Sequence, residues 1–463
     1  MKRAFRAASV ALVTACQGVP TAAPRGQIVL YVDTDSPVVS SDGVVPAVDR
    51  TQPLFDHVRF DVTPSQAGEA CGDCTNDFAV DADAFTSDAV SVGVAPPAGE
   101  SGWSVRVRLY KLTFVGSDGQ PEPISALDAT FALPAVSADG IARLAATLST
   151  SGVGQSLGTG TPLETTPWTP GASRVGTWRG AARTPCSSGP PVGMVCVPGG
   201  AFWMGDVAGD APTGTSPGWH RLVVLSPFFL DAAEMTVRAA RSLGGGASGI
   251  GPWTGQTTGD DPSDWCTFTA APGPRDALPV SCVEQPTARA LCQAAGGDLP
   301  SEAQLEYVMG GLRDQPFVWG TDPPACIDAV WGRNGGGSAN ATGEPEVCLP
   351  SSVALGSIGG PEAAGWGKAD RLVLPTGTLL DLNGNLGEWT LDLYQDQTES
   401  FWVGAGALVD PVCKQAGAQG MLVTTRGGSW GDGGTELEAP RRTPTGPGYT
   451  YGDVGLRCAR PGI

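Results

Sequence analysis

The sequence predicts a multidomain protein, an N-terminal all-β sandwich followed by an irregular α+β domain. Three observations predict this. Strand-like runs of period two crowd the first third, a Gly/Ser/Thr/Pro-rich stretch follows, and the remainder sets two helical patterns among short strands and loops. A length of 463 residues allows two or three domains with buried cores. The 66 glycines and 40 prolines favour turns over long helices.

In chain order, residues 1–15 read as a secretory signal. Lys2, Arg3 and Arg6 precede an apolar run, Ala7 to Ala15, that is too short to span a bilayer. Val13-Thr14-Ala15-Cys16 has the form of a bacterial lipobox, which predicts cleavage before Cys16, lipidation of Cys16, and a tether over 16–25. The expectation is a lipoprotein of the bacterial cell envelope, held by its lipid anchor at the outer membrane and facing the periplasm or the exterior. No later segment has the roughly 18 apolar residues of a spanning helix. A net charge of −19 repels phosphate backbones, so no nucleic-acid partner is expected.

Residues 26–150 hold the runs QIVLYVDTD, HVRFDVTP, AVSVGVAP, WSVRVRLYKLTFV and ISALDATFALP. Val105, Val107 and Leu109 alternate with Arg106, Arg108 and Tyr110, the signature of a half-buried strand, and several such runs at short spacing argue for the sandwich. Asp33 and Asp35, ending the first run, read as solvated strand-end acids. Residues 151–189 have the composition of a flexible linker. Within 190–463, Gln285–Gln293 and Ser301–Met309 are the helix candidates, with Ser301 as N-cap and Glu302 in the first turn. Leu305 and Val308 are placed toward the core, and Glu302 and Glu306, at i and i+4, on a solvated face.

The stretch Asp381–Trp389, DLNGNLGEW, sets two carboxylates around a Gly/Asn run that favours a tight turn with positive φ. Asp381 and Glu388, with the carbonyls of Gly384 and Leu386, form a candidate calcium site, because calcium takes six to eight oxygens in irregular geometry. The spacing is not that of an EF-hand. Leu386 stands at the sixth position, where glycine is needed, and the glutamate comes too early. A hairpin turn with solvated acids is the competing reading.

GNLGEW resembles the GNVWEW signature of the formylglycine-generating enzyme family, the sulfatase-modifying factors. Other landmarks flank it in the family's order. MVCVPGGAFWMGD (Met194–Asp206) resembles MVxIPGGxFxMG, Glu234-Met235-Thr236 resembles EVT, and LPSEAQLEY (Leu299–Tyr307) resembles LPTEAEWEY. Val318-Trp319-Gly320 is similar to PWG, Arg426–Trp430 reads RGGSW, and Gly455–Cys458 is similar to GFRC. The resemblance covers 190–463. It implies a fold related to C-type lectins, calcium at the 381–388 loop, a second calcium site in the Asn334 region, and a Cys292–Cys458 disulfide.

The family's oxidation of a substrate cysteine to formylglycine is implied to need two copper-binding cysteines shortly after RGGSW. Here that segment, Trp430 to Arg442, reads WGDGGTELEAPRR, and no cysteine lies between Cys413 and Cys458. By position Asp432 and Leu437 replace the pair. Soft thiolates select Cu(I) and a carboxylate is a hard ligand, so copper is not expected and the reaction reads as lost. Related iron-dependent sulfoxide synthases need a histidine cluster, whereas this chain has only His57 and His220. Gly427-x-Ser429-x-Gly431 matches a nucleophile elbow but has no later histidine.

What remains is a candidate groove of Trp430, Asp432, Glu436, Arg441 and Arg442, an aromatic face with both charge signs, for an unknown protein, peptide or glycan ligand. The competing reading packs Trp430 in the core. The expected function is a calcium-stabilised binding or scaffold module, a pseudoenzyme. The alternative is an active sulfatase-modifying cysteine oxidase, with a relocated thiol such as Cys413, or another enzyme of that superfamily.

Twelve cysteines in an exported chain read as disulfides. Closeness in sequence pairs Cys71 with Cys74, Cys186 with Cys196, Cys266 with Cys282, and Cys326 with Cys348. Cys413 is left over.

Overall fold

The structure, a computed structural model, describes residues 26–463 except 45, 66–73, 156–160, 206–218, 245–248, 255–264, 334–347 and 349–358. The signal, Cys16 and the Asn334 region therefore lie outside the described residues, and so does Cys71, although Cys74 is disulfide-bonded.

The first part contains β1 (Gln27–Thr34), β2 (His57–Thr63), β3 (Thr75–Ala79), the short helix α1 (Ala82–Thr86), β4 (Ser91–Val94), β5 (Ser104–Tyr110), β6 (Leu127–Ala132), β7 (Ile141–Leu148) and β8 (Thr166–Pro167). They form two four-stranded sheets, ordered β4-β1-β7-β8 and β3-β2-β5-β6. The alternation expected from the sequence is realised. Ile28, Leu30 and Val32 of one sheet and Val58, Phe60, Val105, Val107 and Leu109 of the other are buried in one core. Each such side chain contributes about 1.5–3 kcal/mol on burial.

The second part contains β9 (Met194–Val197), β10 (Gly200–Gly205), β11 (His220–Leu225), β12 (Phe228–Asp231), α2 (Val237–Ser242), α3 (Gln285–Ala294), α4 (Glu302–Met309), β13 (Arg371–Leu374), β14 (Gly377–Leu380), β15 (Gly387–Leu393), β16 (Leu408–Val409), β17 (Val423–Arg426), β18 (Arg442–Thr445), β19 (Val454–Gly455) and β20 (Ala459–Pro461). The sheets are small and the connections long. The largest, β18-β17-β15-β19, carries the GEW and RGGSW landmarks side by side, with Glu388 opposite Arg426 in the register. Both expected helices form. Ser301 caps α4 by accepting the Gln304 N–H, while Gln304 reaches back to the Ser301 N–H, which satisfies two otherwise orphaned donors.

Two expectations are corrected. Residues 151–189 are not a free linker across their described positions. Asp33 accepts the N–H of Arg174, the Asp35 carbonyl accepts the N–H of Trp178 at 2.8 Å, and Trp168 stacks on Tyr31 at 4.3 Å, while the Asp35 carboxylate holds Thr150 just ahead of the stretch. The strand-end acids are thus the anchors of this stretch. Glu302 and Glu306 are not solvated either; both are buried, for reasons given below.

The two parts also share a core. Ala201, Trp203 and Leu222 pack in the same cluster as the N-terminal sheets. Trp203 donates its indole N–H to the Leu54 carbonyl at 2.9 Å and meets Phe55 and Phe114 edge-on. Lys111 pairs with Asp314 across the same boundary.

Four disulfides lock the second part: Cys186–Cys196, Cys266–Cys282, Cys292–Cys458 and Cys326–Cys348. The Cys292–Cys458 bond ties α3 to the last strands across 166 residues of sequence.

Candidate functional site: two buried clusters of carboxylates and arginines

The turn before β15 is built as its sequence predicts. Asp381 and Asn385 take positive φ of 52° and 75°, the region that Asn and Asp enter most readily among non-glycine residues. The turn's buried N–H groups are satisfied by carboxylates brought from elsewhere. Asp370 accepts the N–H groups of Leu382, Asn383 and Gly384, each at 2.9 Å. Glu234 accepts the Leu386 N–H at 2.9 Å and the Asn385 amide at 2.6 Å.

Arg457 supplies the positive charge. Its Nε lies 2.6 and 2.8 Å from the two oxygens of Glu388, and its Nη2 donates to the carbonyls of Asp381 at 2.7 Å and Leu380 at 3.0 Å. Burial pushes Glu234, Asp370 and Glu388 above the usual carboxylate range. Burial and the neighbouring Asp370 raise Asp381 to about 7.

Of the groups expected to hold calcium, the Glu388 carboxylate is already engaged. Glu388 has both oxygens on a guanidinium, which also takes the Asp381 carbonyl, while Gly384 and Leu386 enter the cluster through their N–H groups. Among the described residues no group of three or more His, Cys, Asp or Glu side chains is placed to hold a metal ion.

The second cluster lies beneath RGGSW. Arg442 forks onto Glu302, with Nε and Nη2 each 2.9 Å from an oxygen, and stacks against Tyr394 and Trp402. Arg426 reaches Glu306 at 2.6 Å and Glu302 at 3.4 Å. Asp392 accepts the N–H groups of Glu302 at 2.8 Å and Cys413 at 2.6 Å. Burial and the nearby Glu302 raise Asp392 to about 8, and burial raises Glu306 to about 7.

The residues expected to line a groove are therefore divided. Trp430 is 3% exposed and packs with Val330 and Leu386, its indole N–H on the Gly452 carbonyl. Arg442 is buried. Asp432 closes a turn by accepting the N–H and hydroxyl of Ser429, both at 2.8 Å. It remains partly exposed, as do Glu436 and Arg441. An aromatic face open to a ligand is absent because its two largest members serve the core.

Residues 181–461 match the sulfatase-modifying factor enzyme 1-like domain family. The chain belongs to this family. The match begins a few residues ahead of the boundary expected from the landmarks. Similar solved structures include PvdO from Pseudomonas aeruginosa, at 19% identity and a TM-score of 0.37, covering 58% of this chain and 94% of that one. Treponema denticola variable protein 1 is similar at 18% identity and a TM-score of 0.36, covering 58% of this chain and 99% of that one. CarF is similar at 17% identity and a TM-score of 0.35, with coverage of 58% and 98%. No curated protein matches.

In this sulfatase-modifying factor-like domain the one free cysteine among the described residues is Cys413. It is 0% exposed and its thiol faces the Gln415 carbonyl at 3.4 Å. Burial pushes the thiol up to about 11, the reverse of what a nucleophilic or metal-binding cysteine requires. Ser429 has Asp432, not a histidine, as its partner.

Sequence reasoning missed Asp370 altogether, because a lone acid in a loop gives no local signal. Glu234, Arg426 and Arg457 lay inside quoted landmarks. Arginines in an apolar context at family positions are the signal for their buried pairing.

Proposed function

We propose that the chain is an exported lipoprotein, anchored through an acylated Cys16, whose sulfatase-modifying factor-like domain is a non-catalytic binding or scaffold module. In this reading the two N-terminal sheets form a β-sandwich fused rigidly to that domain. The observation that carries it is the Trp430–Arg442 segment, which holds no thiol. Its Asp432 is engaged in closing a turn on Ser429. The relocated-thiol alternative loses its support from Cys413, which is buried and held protonated. Calcium is not retained in this proposal, since Arg457 supplies the charge that would neutralise Glu388.

The test is a mass-spectrometric assay of the full chain with copper and a peptide carrying Cys-x-Pro-x-Arg, beside an active family member. The expected result is no aldehyde from the peptide thiol. Conversion would show catalysis without the cysteine pair and overturn the proposal.

A further inference from the structure

Where the two parts meet, a cleft of about 1080 Å³ opens over the outer face of the β3-β2-β5-β6 sheet. Most of its wall comes from β5 and the 113–124 loop, and His220 of β11 closes it from the other part. Pockets at such junctions are preferred ligand sites, and usual ligand pockets run to roughly 300–1,000 Å³.

The arginine charges in this wall are cancelled by carboxylates. Arg106 forks onto Asp128 at 2.8 and 2.5 Å, and Arg108 reaches Asp61 at 2.5 Å. Hydrogen-bonding capacity is nevertheless left over. The Nε of Arg108 and the Nδ1 of His220 are buried without a partner, each at a cost of about 1–3 kcal/mol. Arg108 and His220 are themselves 5% and 1% exposed. Among the described residues the Gln120 amide and the Glu122 carboxyl make no side-chain hydrogen bond to the protein. Burial and Lys111 hold the His220 imidazole at about 3, so it is neutral.

An anionic ligand would meet no uncompensated positive charge, because Asp118 and Glu122 share the wall with the paired arginines. The groups left over include both donors and acceptors. A hydroxyl serves both, accepting from an arginine N–H and donating to Gln120, Glu122 or the imidazole. Val115, Pro121 and Ile124 add an apolar strip against which a ring's C–H face can lie. We propose that this cleft binds an uncharged sugar of one or two rings. The proposal concerns a different surface from RGGSW and holds whether or not the family domain oxidises cysteine.

Saturation-transfer NMR on the full chain tests it, with glucose, galactose, N-acetylglucosamine and maltose as separate probes and glucuronate and glucosamine as charged controls. At least one neutral probe is expected to bind. Gln120→Trp, which fills the cleft from its loop, and Glu122→Ala, which removes an acceptor, should each weaken it by about tenfold, the worth of one or two hydrogen bonds. Their melting temperatures should match that of the wild type. Absence of binding by all four neutral probes, stronger binding of glucuronate or glucosamine, or undiminished binding in both variants would overturn the proposal.

Discussion

Arg457 and Glu388 form an ion pair with two contacts from Nε, at 2.6 and 2.8 Å, and both side chains are fully buried. The pair joins the GEW landmark on β15 to the GLRC landmark beside β20, and the same guanidinium holds the carbonyls of the 381 turn. Removing one partner of a buried pair leaves a bare charge in a low-dielectric site.

Glu388→Ala should therefore destabilise the protein by about 3–5 kcal/mol, and Glu388→Gln by less, as read by denaturant unfolding. Because the arginine supplies the cation, calcium and a chelator should leave the melting temperature of the wild type unchanged. A calcium-dependent rise in melting temperature that Glu388→Ala abolishes would return the loop to metal binding.

The cluster beneath RGGSW gives a pH dependence. Asp392 and Glu306 have folded-state values raised to about 8 and about 7, above those of unfolded carboxylates. The folded state then binds more protons than the unfolded one between about pH 4 and pH 8. Stability from these groups is complete below the unfolded values and is lost as pH rises through the folded ones. His220, depressed to about 3, acts oppositely below its ordinary value, where stability falls with falling pH. Thermal unfolding should thus show a decline from pH 6 to pH 8.5 in the wild type. Asp392→Asn, which cannot ionise, should flatten that decline. An unchanged slope would show that Asp392 does not titrate in this window.

The same cluster marks how far the sequence can be read. Alternation in β1 and β5, the Ser301 cap and the sequence-near disulfides Cys186–Cys196, Cys266–Cys282 and Cys326–Cys348 are local, and each was legible as written. Glu302 and Glu306 were not, because their partners Arg426 and Arg442 stand more than 100 residues away. An i, i+4 acid pair looks identical whether it faces water or two buried arginines. The 151–189 stretch misled for a related reason. Its composition is that of a linker, and the groups that order its described residues, Asp33 and Asp35, stand at the end of β1 and just after it.

Cys413 should behave as an inert thiol. With its sulfur buried and raised to about 11, alkylation by iodoacetamide at pH 7.5 should spare it in the folded protein and reach it in guanidinium, with peptide mass spectrometry locating the adduct. Rapid labelling of the native protein at Cys413 would instead restore the relocated-thiol enzyme as a reading.

Trp203 tests whether the two parts are one folding unit. Its indole is 1% exposed, bonds to the Leu54 carbonyl and lies edge-on to Phe55 and Phe114, so it belongs to β10 in sequence and to the N-terminal core in space. A shared core couples the sheets on either side, and the wild type should unfold in a single calorimetric transition. Trp203→Ala removes the largest side chain of the contact at a cost of about 3–5 kcal/mol. Its loss should fall on the boundary and not within either part, because the inward faces of β1, β2 and β5 keep their own partners. The variant should then melt in two steps, with the N-terminal sheets separating from the disulfide-locked part. Two steps in the wild type would refute the shared core.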